Sequence, residues 1–339
     1  MTARKVGALG VAGLAGGCSR GVQSVLDPAG EQAAQSELMM QILLVVCGLM
    51  YLLVMVFLAW ALWRARSGQA AVEGPPANGQ TAAEPRLERG LTAWSALIVI
   101  GLLFLTTATF VVDRRLAQAA PDPLKIKVTA KQWWWQIEYE GAQPDQRVAT
   151  ANELHLPRDR PALIELASND VIHSFWVPNL SGKEDLIPGR TNTLIVTPRR
   201  TGRFRGQCAE FCGEQHAKMA FDVLVEEPAA FEAWRVRQLA PAQDPQAVEA
   251  GMGKQVFMAK ACVMCHRISG TDAGGMTGPD LTHLASRPTI AAGTLPNRRG
   301  QLQAWIADPQ ARKPGTNMPR VPLTSDELDA LVDYLATLQ

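Results

Sequence analysis

Net charge is almost absent from this chain: 33 Lys and Arg stand against 32 Asp and Glu in 339 residues, leaving +1 at pH 7. That balance gives no electrostatic footprint for nucleic acid or for an acidic partner. Histidine is scarce as well, and five residues exclude a histidine-rich metal cluster. No internal repeat is apparent, so the length points to two or three different domains. Charge is missing from two long stretches, 38–63 and 94–112. Each holds about the 20 apolar residues needed to cross a hydrocarbon layer roughly 30 Å thick. Buried core helices rarely run so far without charge. Both are read as membrane spans, at 38–63 and 91–112.

Arg4 and Lys5 precede a short apolar stretch rich in Gly and Ala, ending in Leu14-Ala15-Gly16-Gly17-Cys18. A basic start, an apolar core and small residues make a secretory signal, 1–17. Its end resembles a bacterial lipoprotein cleavage box, which implies that Cys18 becomes a lipidated first residue. Ala15 departs from that box, where a larger aliphatic side chain is commoner. With residues 18–37 outside, two spans return everything after 112 to the outside. Arg64, Arg66, Arg86 and Arg89, in the intervening cytoplasmic loop 64–90, follow the positive-inside bias. Arg114 and Arg115 run against it, but the signal outweighs them. The expected location is a bacterial inner membrane, crossed twice, with the later domains on the periplasmic face.

Residues 113–227 hold short β-type runs between turns, at 125–139, 162–166, 171–177, 193–197 and 219–225. In the last run Met219, Phe221, Val223 and Val225 alternate, as a half-buried strand requires. This predicts a small all-β sandwich or barrel. A short helix and a Pro-containing linker, 228–247, lead to residues 248–339, which read as helical at both ends. Segment 240–246 reads as a flexible coil with an end-to-end distance of about 15 Å. Residues 248–339 hold nine Lys/Arg and eight Asp/Glu, and 114–227 hold fifteen of each. Neither domain has a net charge large enough to drive docking.

The chain has six cysteines, of which Cys18 is the first. Cys47 lies in the first span, as a small apolar residue. Cys208/Cys212 and Cys262/Cys265 are close pairs, for which an oxidising compartment makes a disulfide the default. What surrounds each pair decides otherwise. The string Cys208-Ala209-Glu210-Phe211-Cys212-Gly213-Glu214-Gln215-His216-Ala217-Lys218-Met219 gathers two thiols, an imidazole and a thioether. Sulfur with imidazole favours copper over hard cations, and a second thiolate allows two coppers to be bridged. His173, in Val171-Ile172-His173-Ser174-Phe175-Trp176-Val177-Pro178, supplies a further imidazole. A disulfide would leave this string unexplained.

The arrangement resembles the CuA domain of cytochrome c oxidase subunit II. The resemblance implies a cupredoxin-like fold in which Cys208 and Cys212 bridge two copper ions, while His173 and His216 each bind one. Met219 and the Glu210 carbonyl would complete the coordination, and the Glu210 carboxylate would reach a magnesium ion at the junction with subunit I. Asp185-Leu186-Ile187-Pro188-Gly189-Arg190 matches the family too. Trp133-Trp134-Trp135 resembles its aromatic strand, whose first Trp helps electrons reach CuA. A strand through all three puts Trp133 and Trp135 on one face and Trp134 on the other. Core packing accounts for at least one of them.

Cys262-Val263-Met264-Cys265-His266 is the c-type haem attachment signature. Two thiols add across the haem vinyls, and His266 is placed to bind iron. A second, soft axial ligand suits a haem that only passes electrons. Met318, in Gly315-Thr316-Asn317-Met318-Pro319, sits before the last helix as in class I cytochromes c. Met252, Met258, Met264 and Met276 compete on composition; Met252 and Met258 read as core. Gly278-Pro279-Asp280-Leu281 resembles the cytochrome segment whose proline carbonyl orients the axial His. His155 and His283 have no partner pattern and read as surface or packing residues. Leu87-Glu88-Arg89-Gly90-Leu91-Thr92 resembles the family's Leu-Glu-x-x-Trp-Thr, its Glu near a proton-uptake path, with Leu91 in place of Trp. A solvated loop charge explains Glu88 equally well.

The fold expected is multidomain: a two-helix transmembrane hairpin, an all-β cupredoxin-like domain and an all-α class I cytochrome c domain. The resemblance implies an oxidase of caa(3) type, with electrons passing from an external donor (cytochrome c or a cytochrome bc complex) through haem c and CuA. Partners would be the haem–copper subunit I, subunit III and membrane lipid. Nitrous oxide reductase shares the copper string but needs the histidine cluster already excluded. A quinol oxidase subunit lacks the copper ligands. A free-standing membrane electron carrier remains as the alternative.

Overall fold

The computed structural model describes residues 21–67, 85–116, 121–141, 143 and 146–339. The signal sequence, Cys18 and most of the loop between the spans lie outside them. Two compact units result, one of residues 35–119 and one holding the rest.

The first unit holds two helices, all of α1 (Glu31–Arg66) but its first four residues and the whole of α2 (Pro85–Leu116). Their most apolar 18-residue windows have mean hydropathies of 3.0 and 2.4, with none of those residues buried in protein. Side chains such as Phe57, Trp63, Ile100 and Phe110 are exposed, a pattern that suits lipid rather than water. Glu88 stands in the first turn of α2. It belongs to a helix, not to the loop expected there, because Pro85 starts the helix ahead of the apolar run.

In the second unit, ten strands form two five-stranded sheets. The first five are β1 (Leu124–Lys131), β2 (Trp134–Tyr139), β3 (Val148–Ala151), β4 (Glu153–Pro157) and β5 (Ala162–Ser168). They are followed by β6 (His173–Trp176), β7 (Glu184–Leu186), β8 (Asn192–Val196), β9 (Gly202–Cys208) and β10 (Ala220–Glu226). The strand orders are β3-β2-β1-β5-β8 and β4-β10-β9-β6-β7. Burial alternates along β5 and β2, and the inward side chains, Trp135, Phe175 and Phe221 among them, fill one core. Trp133 is not on a strand. It precedes β2 in a turn, so only Trp135 and Trp134 alternate, and Trp135 alone is fully buried.

Helix α3 (Pro228–Gln238) closes the sandwich with Phe231 and Trp234. The C-terminal domain follows: α4 (Val248–Ala259), α5 (Cys262–Cys265), the hairpin β11 (Thr289–Ile290) and β12 (Leu295–Pro296), α6 (Arg299–Ala307), α7 (Pro309–Arg312) and α8 (Ser325–Leu335). A capping box of Thr324 and Glu327 starts α8, satisfying two backbone donors reciprocally. Met258 packs against the core as expected, but Met252 is exposed. Segment 240–246 is not a free coil. The Ala242 amide donates to the Ser269 carbonyl at 2.9 Å, and Asp244 pairs with Lys254.

The two domains of this unit are packed together. Strand β10 was expected to bury one face, yet Ala220 and Asp222 on its other face are also buried. The β11–β12 hairpin covers them: the Ala220 amide donates to the Ala292 carbonyl at 3.0 Å, and Thr289 Oγ1 donates to Asp222 at 2.5 Å.

Helices α4 and α8 cross at Gly253. A Cβ there would overlap the Ala330 carbonyl and press on Tyr334, whereas Gly251 has open space. Gly253→Ala is expected to destabilise the protein by about 1–3 kcal/mol or more through overpacking. Gly251→Ala should instead stabilise it by roughly 0.5–1 kcal/mol, as Ala does in a helix interior. Thermal unfolding followed by circular dichroism separates the two, and equal effects would refute the packing account.

Candidate functional site

Antiparallel pairing of β9 with β10 fixes both ends of the loop that carries the sulfur ligands. Gln207 faces Ala220, and the Cys208 amide donates to the Met219 carbonyl at 2.9 Å. His173 arrives on β6, which pairs with β9 at Phe175 and Cys208. The Cys208 and Cys212 sulfurs lie 3.7 Å apart, far beyond the roughly 2.05 Å of a disulfide. His173 Nδ1 is 3.8 Å from Cys208 Sγ, and His216 Nδ1 is 3.6 Å from Cys212 Sγ. Met219 Sδ lies 3.8 Å from Cys212 Sγ, and the Glu210 carbonyl 3.2 Å from Cys208 Sγ. All six residues singled out in the sequence therefore meet at one place. Among the described residues, His173, Cys208 and Cys212 make up the one group of three or more that could hold a metal.

The donor set fits copper. Two sulfurs 3.7 Å apart, each with an imidazole nitrogen within 3.8 Å, are the soft donors such a metal takes. The thiols are already polarised. The hydrogen bond from Cys212 pulls the Cys208 thiol far below its ordinary value, while Cys212 is pushed up as the donor. Two bare thiolates this close repel, so a cation is what lets both ionise.

Asp170 orients the site. Its carboxylate accepts hydrogen bonds from His173 Nε2 at 2.8 Å and from the Gln132 amide at 2.6 Å. That fixes the tautomer and leaves Nδ1 facing sulfur. Sequence reasoning missed Asp170, although its place three residues before His173 was a usable signal. Gln132 Nε2 and Trp133 Nε1 both donate to the Cys212 carbonyl, at 2.8 and 2.9 Å. Gly213, at φ +109°, has Trp133 and Gln132 against it, so a side chain there would be strained and crowded. Behind His173 the Trp135 ring packs edge-on at 6.2 Å.

The C-terminal domain encloses a cavity of about 330 Å³, lined by Cys262, Cys265, His266, Pro279 and Met318 with apolar side chains such as Phe257. His266 Nδ1 donates to the Pro279 carbonyl at 2.8 Å, which leaves Nε2 as the nitrogen with a free lone pair. Burial lowers the His266 pKa and so favours the neutral, ligating ring. Two thiols, an oriented imidazole and a thioether around an apolar cavity fit a covalent haem. Of the competing methionines, Met264 also lines the cavity but is 74% exposed, whereas Met252, Met258 and Met276 do not line it.

The sandwich contributes Gln132, Trp133, Trp134 and Asn152 to the wall of this cavity. The remaining histidines are both buried. His155 Nδ1 contacts Glu226 at 2.8 Å, and its ring stacks on Trp234. His283 Nδ1 donates to the carbonyl of Gln339 at 2.7 Å.

Comparison with known proteins agrees with this architecture. Residues 141–226 match the family model for the cytochrome c oxidase subunit II periplasmic domain, and residues 250–339 match that for cytochrome c. Cytochrome c oxidase subunit 2 of Alkalihalophilus pseudofirmus is 34% identical over 325 residues, covering 93% of this chain and 91% of the relative. The Bacillus subtilis protein of the same name is 29% identical, covering 96% of this chain and 94% of the relative. The periplasmic domain of Bradyrhizobium japonicum cytochrome oxidase subunit II, a solved structure, is 31% identical with a TM-score of 0.33, covering 35% of this chain and 96% of that one. Two apolar helices, a cupredoxin-like sandwich and a cytochrome c domain, in that order, place this chain in the cytochrome c oxidase subunit 2 family, in the form with a fused C-terminal cytochrome c.

Proposed function

We propose that this chain receives electrons from an external donor and passes them, through a covalent haem c and a binuclear CuA centre, to a haem–copper catalytic subunit that reduces oxygen and pumps protons. One observation carries the reading: Trp133 lines the haem cavity while its indole donates to the carbonyl of Cys212. When bound, the haem and the two coppers supply reversible one-electron chemistry. The chain's own residues hold, orient and insulate them. Cys262 and Cys265 would hold the haem covalently, with His266 and Met318 available to its iron from the cavity wall. Cys208, Cys212, His173, His216, Met219 and the Glu210 carbonyl would hold the coppers, the residues that the structure brings together. Trp135, Phe175 and Phe221, all buried, keep water from the inner side, so little solvent reorganises as charge moves.

Further assignments belong to the same proposal. Trp133 takes up the incoming electron from the haem side. The Glu210 carboxylate binds magnesium at the boundary with subunit I, and Glu88 serves a proton-uptake path at the start of α2. Residues 113–227 and 248–339 are the two functional domains. Cys18 is lipidated, and the protein sits in a bacterial inner membrane with subunits I and III. The donor is cytochrome c or a cytochrome bc complex.

Purification from detergent-solubilised membranes tests the reading, since a haem–copper subunit must co-isolate; a chain isolating alone would be a free-standing carrier. Cys212→Ser should abolish the two-copper centre, while Met219→Leu should keep it with a shifted potential. Metal analysis with electron paramagnetic resonance reads both. Met318→Ala should leave the haem attached but remove the sulfur-to-iron absorption band. Survival of that band, with its loss in Met264→Ala, would move the axial ligand to Met264. Flash reduction of haem c, followed by CuA absorbance, should give an internal rate nearly insensitive to ionic strength. Steered encounters slow steeply as salt screens them, and docked domains need none. A steep fall with salt would show that the domains meet by diffusion.

A further inference from the structure

Lys313, just after α7, lies between the two sites and is assigned to neither. It is 2% exposed and lines the haem cavity. Its ammonium donates to the carbonyls of Trp133 at 3.0 Å, Lys218 at 2.9 Å and Ala291 at 3.4 Å. An ammonium has three donors, so all are used. Among the described residues, no carboxylate is paired with it.

Two of the acceptors adjoin the copper ligands directly, and the third reaches them through the β10 pairing. Trp133 donates its indole N–H to the Cys212 carbonyl. Lys218 precedes Met219. Ala291 precedes Ala292, whose carbonyl takes the amide of Ala220, the residue after Met219. We infer that Lys313 is a positioning residue: it clasps the haem-bearing domain to the copper loop and so fixes the geometry of the electron step between them. The inference rests on reading the two sites as haem c and CuA.

Stability alone does not call for a lysine here. Burial, with the charge of Lys218 nearby, pushes its pKa down to about 7. A buried ammonium facing only neutral carbonyls is expensive beside an apolar side chain of similar volume. What the lysine adds is direction, because three chain segments converge on one nitrogen. A contact at the edge of the same interface, Lys131 Nζ to the Met276 carbonyl at 3.3 Å, is exposed and holds nothing so closely.

Lys313→Met keeps the stem and removes the donors. In the full-length protein within its oxidase complex, hydrogen–deuterium exchange of the peptides holding Ala220 and residues 289–296 reads docking without redox chemistry. Flash reduction reads the electron step. In Lys313→Met, exchange should rise and the internal step slow by at least about tenfold, as the docked fraction falls. The step should also become viscosity-dependent, with haem and copper contents unchanged. Lys131→Ala should leave both readouts within about twofold, as surface changes do. Wild-type exchange and rate in Lys313→Met, or equal slowing in Lys131→Ala, overturns the clasp. Should Lys313→Met not accumulate, the wild type decides. A rate unaffected by glycerol supports a fixed geometry, and a rate falling in proportion to viscosity overturns it. If Lys313→Met loosens the peptides while no haem-to-copper step occurs even in wild type, the clasp stands and the assignment of the centres fails.

Discussion

The carbonyl of Cys212 is the point on which the rest depends. It accepts from Gln132 and Trp133 at once, and that double hydrogen bond ties the sulfur loop to the turn between β1 and β2. The same turn is tied to His173 through Asp170, which takes the Gln132 amide with one oxygen and the His173 ring with the other. Three chain segments far apart in sequence are thereby locked into one frame. The ligand atoms need this, because the loop 209–219, eleven residues between strand ends, has many conformations. A metal alone would have to select one and lose affinity in doing so.

The frame explains which parts of the molecule were legible in the sequence. Cys208, Cys212, His216 and Met219 lie within twelve residues, so local spacing shows their chemistry before any fold is known. The haem attachment run is local in the same way. The two membrane helices follow from composition alone, and family resemblance supplied His173 and Met318 at long range. What could not be read is held by side chains whose partners are distant and whose types are common. Asp170 is an ordinary loop aspartate until β6 brings His173 to it. Lys313 looks like a surface lysine in a charged stretch until the hairpin and the loop between β9 and β10 close around it.

The same reasoning accounts for the places where pattern misled. Alternation along Met219, Phe221, Val223 and Val225 correctly marks one buried face of β10, but it is silent about a face covered by another domain. Polar Asp222 reads as solvent-facing, yet it is buried and bonded to Thr289 and to Arg203. The three tryptophans read as one strand because aromatic residues favour strands. The turn at 132–133 is imposed by tertiary hydrogen bonds, which local propensity does not register. A linker of Pro and Ala reads as coil because nothing in its composition reveals that Ser269 will accept its amide.

Two domains with almost no net charge must find their register by other means. Here they use short polar contacts of fixed direction: Thr289 to Asp222, Gln215 Nε2 to the Pro314 carbonyl at 2.6 Å, and Asn317 Nδ2 to the Gln132 carbonyl at 2.9 Å. Arg287 and Glu153 add a buried ion pair at 3.6 Å. Such a pair adds little net stability, but removing one partner strands a buried charge at a cost of about 3–5 kcal/mol. Misaligned docking carries the same penalty several times over, because each donor loses its acceptor without regaining water. Apolar surfaces would tolerate sliding by an ångström or two. An electron step falls off steeply with distance, so an interface that punishes sliding serves it better than one that only adheres.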